Sequence, residues 1–75
     1  MESNIRMNII VSANLSHYMY IQRYTRYELA ERIGVDPSTI GTWLNGKAVP
    51  RRANLIKLET ILEIPEGRLS RLSKE

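Results

Sequence analysis

The sequence predicts an all-α fold, a compact bundle of five helices in 75 residues. Three observations lead to that expectation. Apolar residues recur at helical spacing along most of the chain. Capping residues and glycines punctuate these runs where helices must start and stop. Cysteine is absent, so a chain this short relies on one apolar core, without disulfide or thiolate–metal staples.

The first helix is expected to begin between Met7 and Ser12 and to run to about Gln22, with Val11, Leu15 and Tyr18 facing inward. In a single domain covering 1–75, residues 1–6 form a frayed arm and 73–75 a frayed tail. Ile5, Met7, Ile9 and Val11 alternate with Arg6, Asn8 and Ile10, which also admits a short strand; the helix is preferred. Ile10, Tyr20 and Ile21 lie off the inward stripe and leave this helix apolar on other sides. Either the arm folds back over them, or they form a contact surface for a second protomer or another protein.

The segment from Thr25 to Asn45 reads as two short helices and a tight turn. Thr25 is a natural N-cap, and Glu28 completes a capping box, so a helix opens at Arg26. Leu29, Ala30 and Ile33 share one face. Gly34 follows, where a left-handed residue ends a helix without a Cβ penalty. Asp36 caps the next helix, with Pro37 at its first position, where a missing N–H costs nothing. Ile40, Trp43 and Leu44 are its apolar side. Two helices joined by a short glycine-containing turn form a helix-turn-helix, although the same elements also describe an ordinary helical hairpin. Ala30 must be small if the two helices are to cross closely.

After Leu44 come the turn residues Asn45-Gly46 and a basic loop, Lys47 to Arg52, closed by Pro50. A fourth helix is expected over 54–62, with Leu55, Leu58 and Leu62 on one side. Ile64-Pro65 ends it and opens a fifth helix from Glu66 to about Leu72, carrying Leu69 and Leu72. Glu59 is expected at the domain edge beside a basic neighbour.

Taken in order, Thr25, Leu29-Ala30, Gly34-Val35, Pro37-Ser38-Thr39-Ile40, Trp43, Asn45-Gly46-Lys47 and Leu55 to Leu62 resemble the helix-turn-helix of the Cro and lambda-repressor type, the XRE family. The resemblance runs from about Val11 to Leu72. It implies a lambda-repressor-like fold that binds double-stranded DNA, with the helix Pro37 to Leu44 in the major groove. Relatives commonly pair an Arg at the position of Met19 with a Glu at that of Leu44. Here both are apolar, an exchange that is often neutral or stabilising when the pair packs well. Met19 and Leu44 are therefore expected to touch inside the domain.

Charge agrees with a polyanion partner. Residues 1–22 and 53–75 are each neutral overall. The formal net charge of +3 arises between them, where Arg23, Arg26, Arg32, Lys47, Arg51 and Arg52 outnumber Glu28, Glu31 and Asp36. Enzyme chemistry has little to stand on. His17 is the sole histidine and has no ligand set around it, the glycines are scattered as turn residues, and no catalytic motif occurs. No cofactor or metal is expected. No apolar window approaches the roughly 20 residues of a membrane span, and the lack of cysteine suits a reducing cytoplasm.

With Ile40, Trp43 and Leu44 inward, Pro37, Ser38, Thr39, Gly41 and Thr42 are left outward. Ser38 and Thr42 are the leading base readers, while Pro37 and the threonine methyls suit thymine methyl groups. Hydrogen bonding at the helix start is the plainer role for Ser38 and Thr39. No Arg, Gln or Asn stands at the outward centre, so direct readout is modest and DNA shape contributes more. Arg26 takes the place where relatives carry Gln against a phosphate. Asn45, Lys47, Arg51 and Arg52 would follow the backbone on the other side, with Arg52 alternatively entering the minor groove; unspecific surface charge is the competing reading for these loop cations. One such domain covers little DNA, so a homodimer on a palindromic operator is expected, through Ile64, Leu69 and Leu72 or the apolar face of the first helix. The resemblance implies a repressor of the kind found in bacteriophage and mobile-element switches. An antitoxin that also binds a toxin, and a protein-interaction module that has lost DNA binding, are the alternatives.

Overall fold

Residues 6–72 are described by a computed structural model of the chain. Four α-helices follow one another, α1 (Met7–Gln22), α2 (Arg26–Ile33), α3 (Pro37–Leu44) and α4 (Arg52–Ile61), and a 3-10 turn, Arg68–Ser70, comes last. No strand occurs among the described residues, so the alternating segment near the start is helical from Met7 onward. Arg6 is the extended N-cap of α1; the rest of the expected arm, and the tail, lie outside the described residues.

The local signals in the α2–α3 segment act as their chemistry requires. Thr25 Oγ1 accepts from the Glu28 N–H at 3.0 Å, and Glu28 Oε1 accepts from the Thr25 N–H at 2.9 Å, a complete capping box. Gly34 then takes φ +92° and donates to the Ala30 carbonyl. Asp36 Oδ1 accepts from both the backbone N–H and the hydroxyl of Ser38, at 2.9 and 2.8 Å, and Pro37 occupies the first turn of α3. These two bonds hold the Asp36 carboxyl below the ordinary aspartate value.

Every element contributes to one core. Leu15 and Met19 of α1, Leu29, Ala30 and Ile33 of α2, Ile40 and Trp43 of α3, and Leu58 of α4 pack with Leu62 and Leu69. Met19 is buried in this cluster, and Leu44, half-buried at the end of α3, packs against it.

α1 also supplies polar side chains to the places where other helices run out of hydrogen-bond partners. Asn8 Nδ2 donates to the Gly46 carbonyl and Ser12 Oγ to the Leu44 carbonyl, both at the end of α3. Gln22 Nε2 donates to the Leu62 carbonyl at the end of α4 at 2.7 Å. Asn14 Nδ2, on a buried side chain, donates to the carbonyls of Leu69 and Arg71 at 2.9 and 2.7 Å.

Three expectations need correction. The fifth helix is absent: Gly67 at φ +89° breaks helical geometry after Glu66, and only the 3-10 turn follows. Glu59 is not at the domain edge but 3% exposed, and its Oε2 accepts from the N–H groups of Gly67 and Leu69 at 3.0 and 3.1 Å. Asn14 and Glu59 thus hold the terminal turn through side chains where a helical ladder was expected. α4 starts at Arg52, ahead of Asn54, because Pro50 is buried and Arg51 is already an extended cap behind it.

Glu59→Ala leaves one buried and one half-buried amide donor unpaired and should cost about 2 kcal/mol in urea unfolding, with a smaller loss for Glu59→Gln, which keeps an acceptor. For Asp36 the folded pKa is depressed, so its stabilising contribution is present above the unfolded value and is lost as pH falls through the folded one. The melting-temperature gap between wild type and Asp36→Ala should therefore be full at neutral pH and shrink below about pH 4.

Candidate nucleic-acid interface

α3 buries Ile40 and Trp43 and leaves its amino-terminal turn at the surface. Ser38 is exposed, and Pro37, Thr39 and Thr42 are half-buried. Both hydroxyls in this turn already make local bonds: Ser38 Oγ donates to Asp36, and Thr42 Oγ1 donates to the Ser38 carbonyl at 3.0 Å. Each oxygen keeps acceptor capacity and each hydroxyl can rotate to a new partner. For Ser38 the helix-start role is real, since its N–H and its hydroxyl both bind Asp36. Thr39 joins the cap only through its backbone N–H, which donates to the Asp36 carbonyl at 2.9 Å.

Gly41 was expected outward with these residues, but it is buried. The guanidinium of Arg26 lies against it, reaching over from the first turn of α2. Arg26 is otherwise exposed and stacks on its neighbour Tyr27, with the guanidinium carbon 5.3 Å from the ring centre. Just upstream, Arg23 is an exposed left-handed residue (φ +62°) that closes α1. The opening of α2 therefore carries a cation, Arg26, against α3.

Beyond the other end of α3, Asn45, Lys47 and Arg51 are exposed on the connection 45–51. That connection is fixed at one end by Asn8, which holds the Gly46 carbonyl, and at the other by buried Pro50. Lys47 and Arg51 make no ion pair among the described residues. Arg52, in the first turn of α4, pairs with Glu66 at 3.1 Å. Both side chains are mostly exposed, so the bridge is weak and open to competition by a phosphate.

The structure thus brings Ser38, Thr42 and Arg26 together around one face of α3, and sets Asn45, Lys47 and Arg51 on a braced loop after it. It turns Arg52 toward the terminal segment. Asn8, Ser12 and Tyr27 escaped the sequence reading. Asn8 and Ser12 lie one helical turn apart on an otherwise apolar stretch, a signal for a shared polar partner that was available. Among the described residues no cluster of three or more His, Cys, Asp or Glu could hold a metal ion, and no helix is long and apolar enough to cross a membrane.

A family model described as helix-turn-helix matches residues 22–69. The solution structure of the SOS-response transcriptional repressor LexA from Eubacterium rectale is similar over 97% of this chain and 78% of that one, at 32% identity and a TM-score of 0.87. No curated protein matches significantly. A capped α2, a glycine turn, a short α3 with an exposed amino-terminal turn, and these two likenesses agree: the chain belongs to the XRE-type helix-turn-helix family and is a DNA-binding transcription regulator.

Proposed function

We propose that this protein is a repressor that grips a palindromic operator as a two-fold dimer, each protomer laying α3 in a major groove. The observation that carries the reading is the exposed first turn of α3, with Ser38 at the surface and Thr42 one turn on, flanked by Arg26 and by the loop cations Lys47 and Arg51. A helix of this kind fits the groove of B-DNA with its amino-terminal residues toward base edges. Ser38 and Thr42 supply hydroxyls to bases, and Pro37, Thr39 and the Thr42 methyl pack on thymine methyl groups. Arg26, Asn45, Lys47, Arg51 and Arg52 hold the phosphates, Arg52 after releasing Glu66.

The LexA structure is that of a transcriptional repressor, which favours repression over activation for this relative; a DNA-binding regulator would work in the cytoplasm. Not every residue of the expected dimer surface is exposed. Leu69 is wholly buried, whereas Ile64 is half-buried against the core and keeps part of its surface. Leu72 and the outer residues of α1 (Met7, Ile9, Tyr20 and Ile21) remain exposed and are the candidates. The same α1 surface would seat a toxin if the chain is an antitoxin, and co-purification with a small partner encoded nearby separates the two.

Selection of bound sequences from a random duplex pool should return half-sites about one helical turn apart in two-fold symmetry. Recovery of no sequence, or of a lone half-site, overturns the operator reading. Arg26→Ala and Lys47→Ala should each weaken binding to all sequences alike and flatten the salt dependence by about one unit of slope. Ser38→Ala should instead relax base preference at a single position of the selected site. Sedimentation is expected to show dimers on the operator; one protomer per operator at saturation refutes the two-fold arrangement.

A further inference from the structure

Gly41 is out of place in α3. Glycine is the poorest helix former after proline, and this one sits inside a short helix. No turn demands it, because the glycines with positive φ are Gly34, Gly46 and Gly67. Its surface is nevertheless buried, and what covers it is a side chain from another helix. Arg26 Nη1 lies 2.9 Å from the point where a Cβ on residue 41 would stand, closer than real Cβ contacts come. The same guanidinium also meets Tyr27, with its carbon 5.3 Å from the ring centre and Nη2 donating to the phenol oxygen at 3.4 Å.

The structure assigns to Gly41 a positioning role: its missing side chain makes a notch in α3 that seats the Arg26 guanidinium, clamped by the Tyr27 ring, so that this cation faces a DNA phosphate already oriented. The inference rests on the reading of Arg26 as a phosphate contact. An arginine free in solvent gives up much rotamer freedom on binding, and a seat removes that loss before the duplex arrives. A planar guanidinium also gains more from fixed orientation than a lysine would, since its donors form a rigid fork.

The substitution that tests this is Gly41→Ala. The added methyl meets only the far end of a flexible side chain, so the domain folds, and better helix propensity should raise its melting temperature by roughly 4 °C. DNA affinity should move the other way. Four proteins are compared by fluorescence anisotropy on a labelled duplex recovered from the random pool: wild type, Gly41→Ala, Arg26→Ala and the double variant. Gly41→Ala is expected to weaken binding about tenfold with Arg26 present, and to add nothing once Arg26 is gone. Equal weakening in both backgrounds would mean that the methyl meets DNA directly, and it overturns the seat, as does unchanged affinity with Arg26 intact. Relaxation of the Arg26 Nε–H in the free protein reads the seat without DNA: ordered in wild type, mobile in Gly41→Ala. A mobile Nε–H in wild type refutes the notch itself, whereas an ordered one in a protein that selects no duplex refutes the DNA-binding reading on which the inference stands.

Discussion

An eight-residue helix has no independent stability in water, so α3 exists only because other parts of the chain hold it. Ile40 and Trp43 anchor one side in the core. Asp36 satisfies amide donors at the start, and Ser12 takes the Leu44 carbonyl at the end. With the buried face and both termini fixed, little freedom is left to the exposed turn between them. That constraint fixes the positions of the few polar atoms that the turn presents.

The division of labour in α1 follows from the same need. Its apolar residues Leu15 and Met19 enter the core, while Asn8, Ser12, Asn14 and Gln22 supply donors to carbonyls that end other elements. Buried carbonyls without partners would be costly, and side-chain amides satisfy several of them from one helix. Glu59 is the acceptor counterpart, meeting two N–H groups of the terminal turn. The described residues leave no buried side-chain polar atom without a partner.

How much was legible in the sequence depended on the range of the interaction. Thr25, Glu28, Gly34, Asp36 and Pro37 act within a few residues of themselves, and the helices they begin and end could be read directly. The inward faces of α2 and α3 also followed from spacing. What failed was long-range. Asn14 bonds to a residue 55 positions away and Glu59 to residues 8 and 10 positions on, beyond helical spacing, and these bonds hold the single turn that follows Gly67. Gly41 looked exposed because helical spacing places it beside Ser38 and Thr42, and no pattern within α3 reveals an arginine arriving from α2. Of the candidate site, the exposure of Ser38, Lys47 and Arg51 was readable, and the tie between Arg52 and Glu66 was not.

The bonds from Asn8 and Ser12 to the end of α3 have a mechanical consequence. α1 carries those donors on one side and exposed Met7, Ile9 and Tyr20 on others. Anything docked on that outer surface, a second protomer included, would therefore rest on the same helix that holds the end of α3. A shift of α1 would bear on α3 directly through those two bonds.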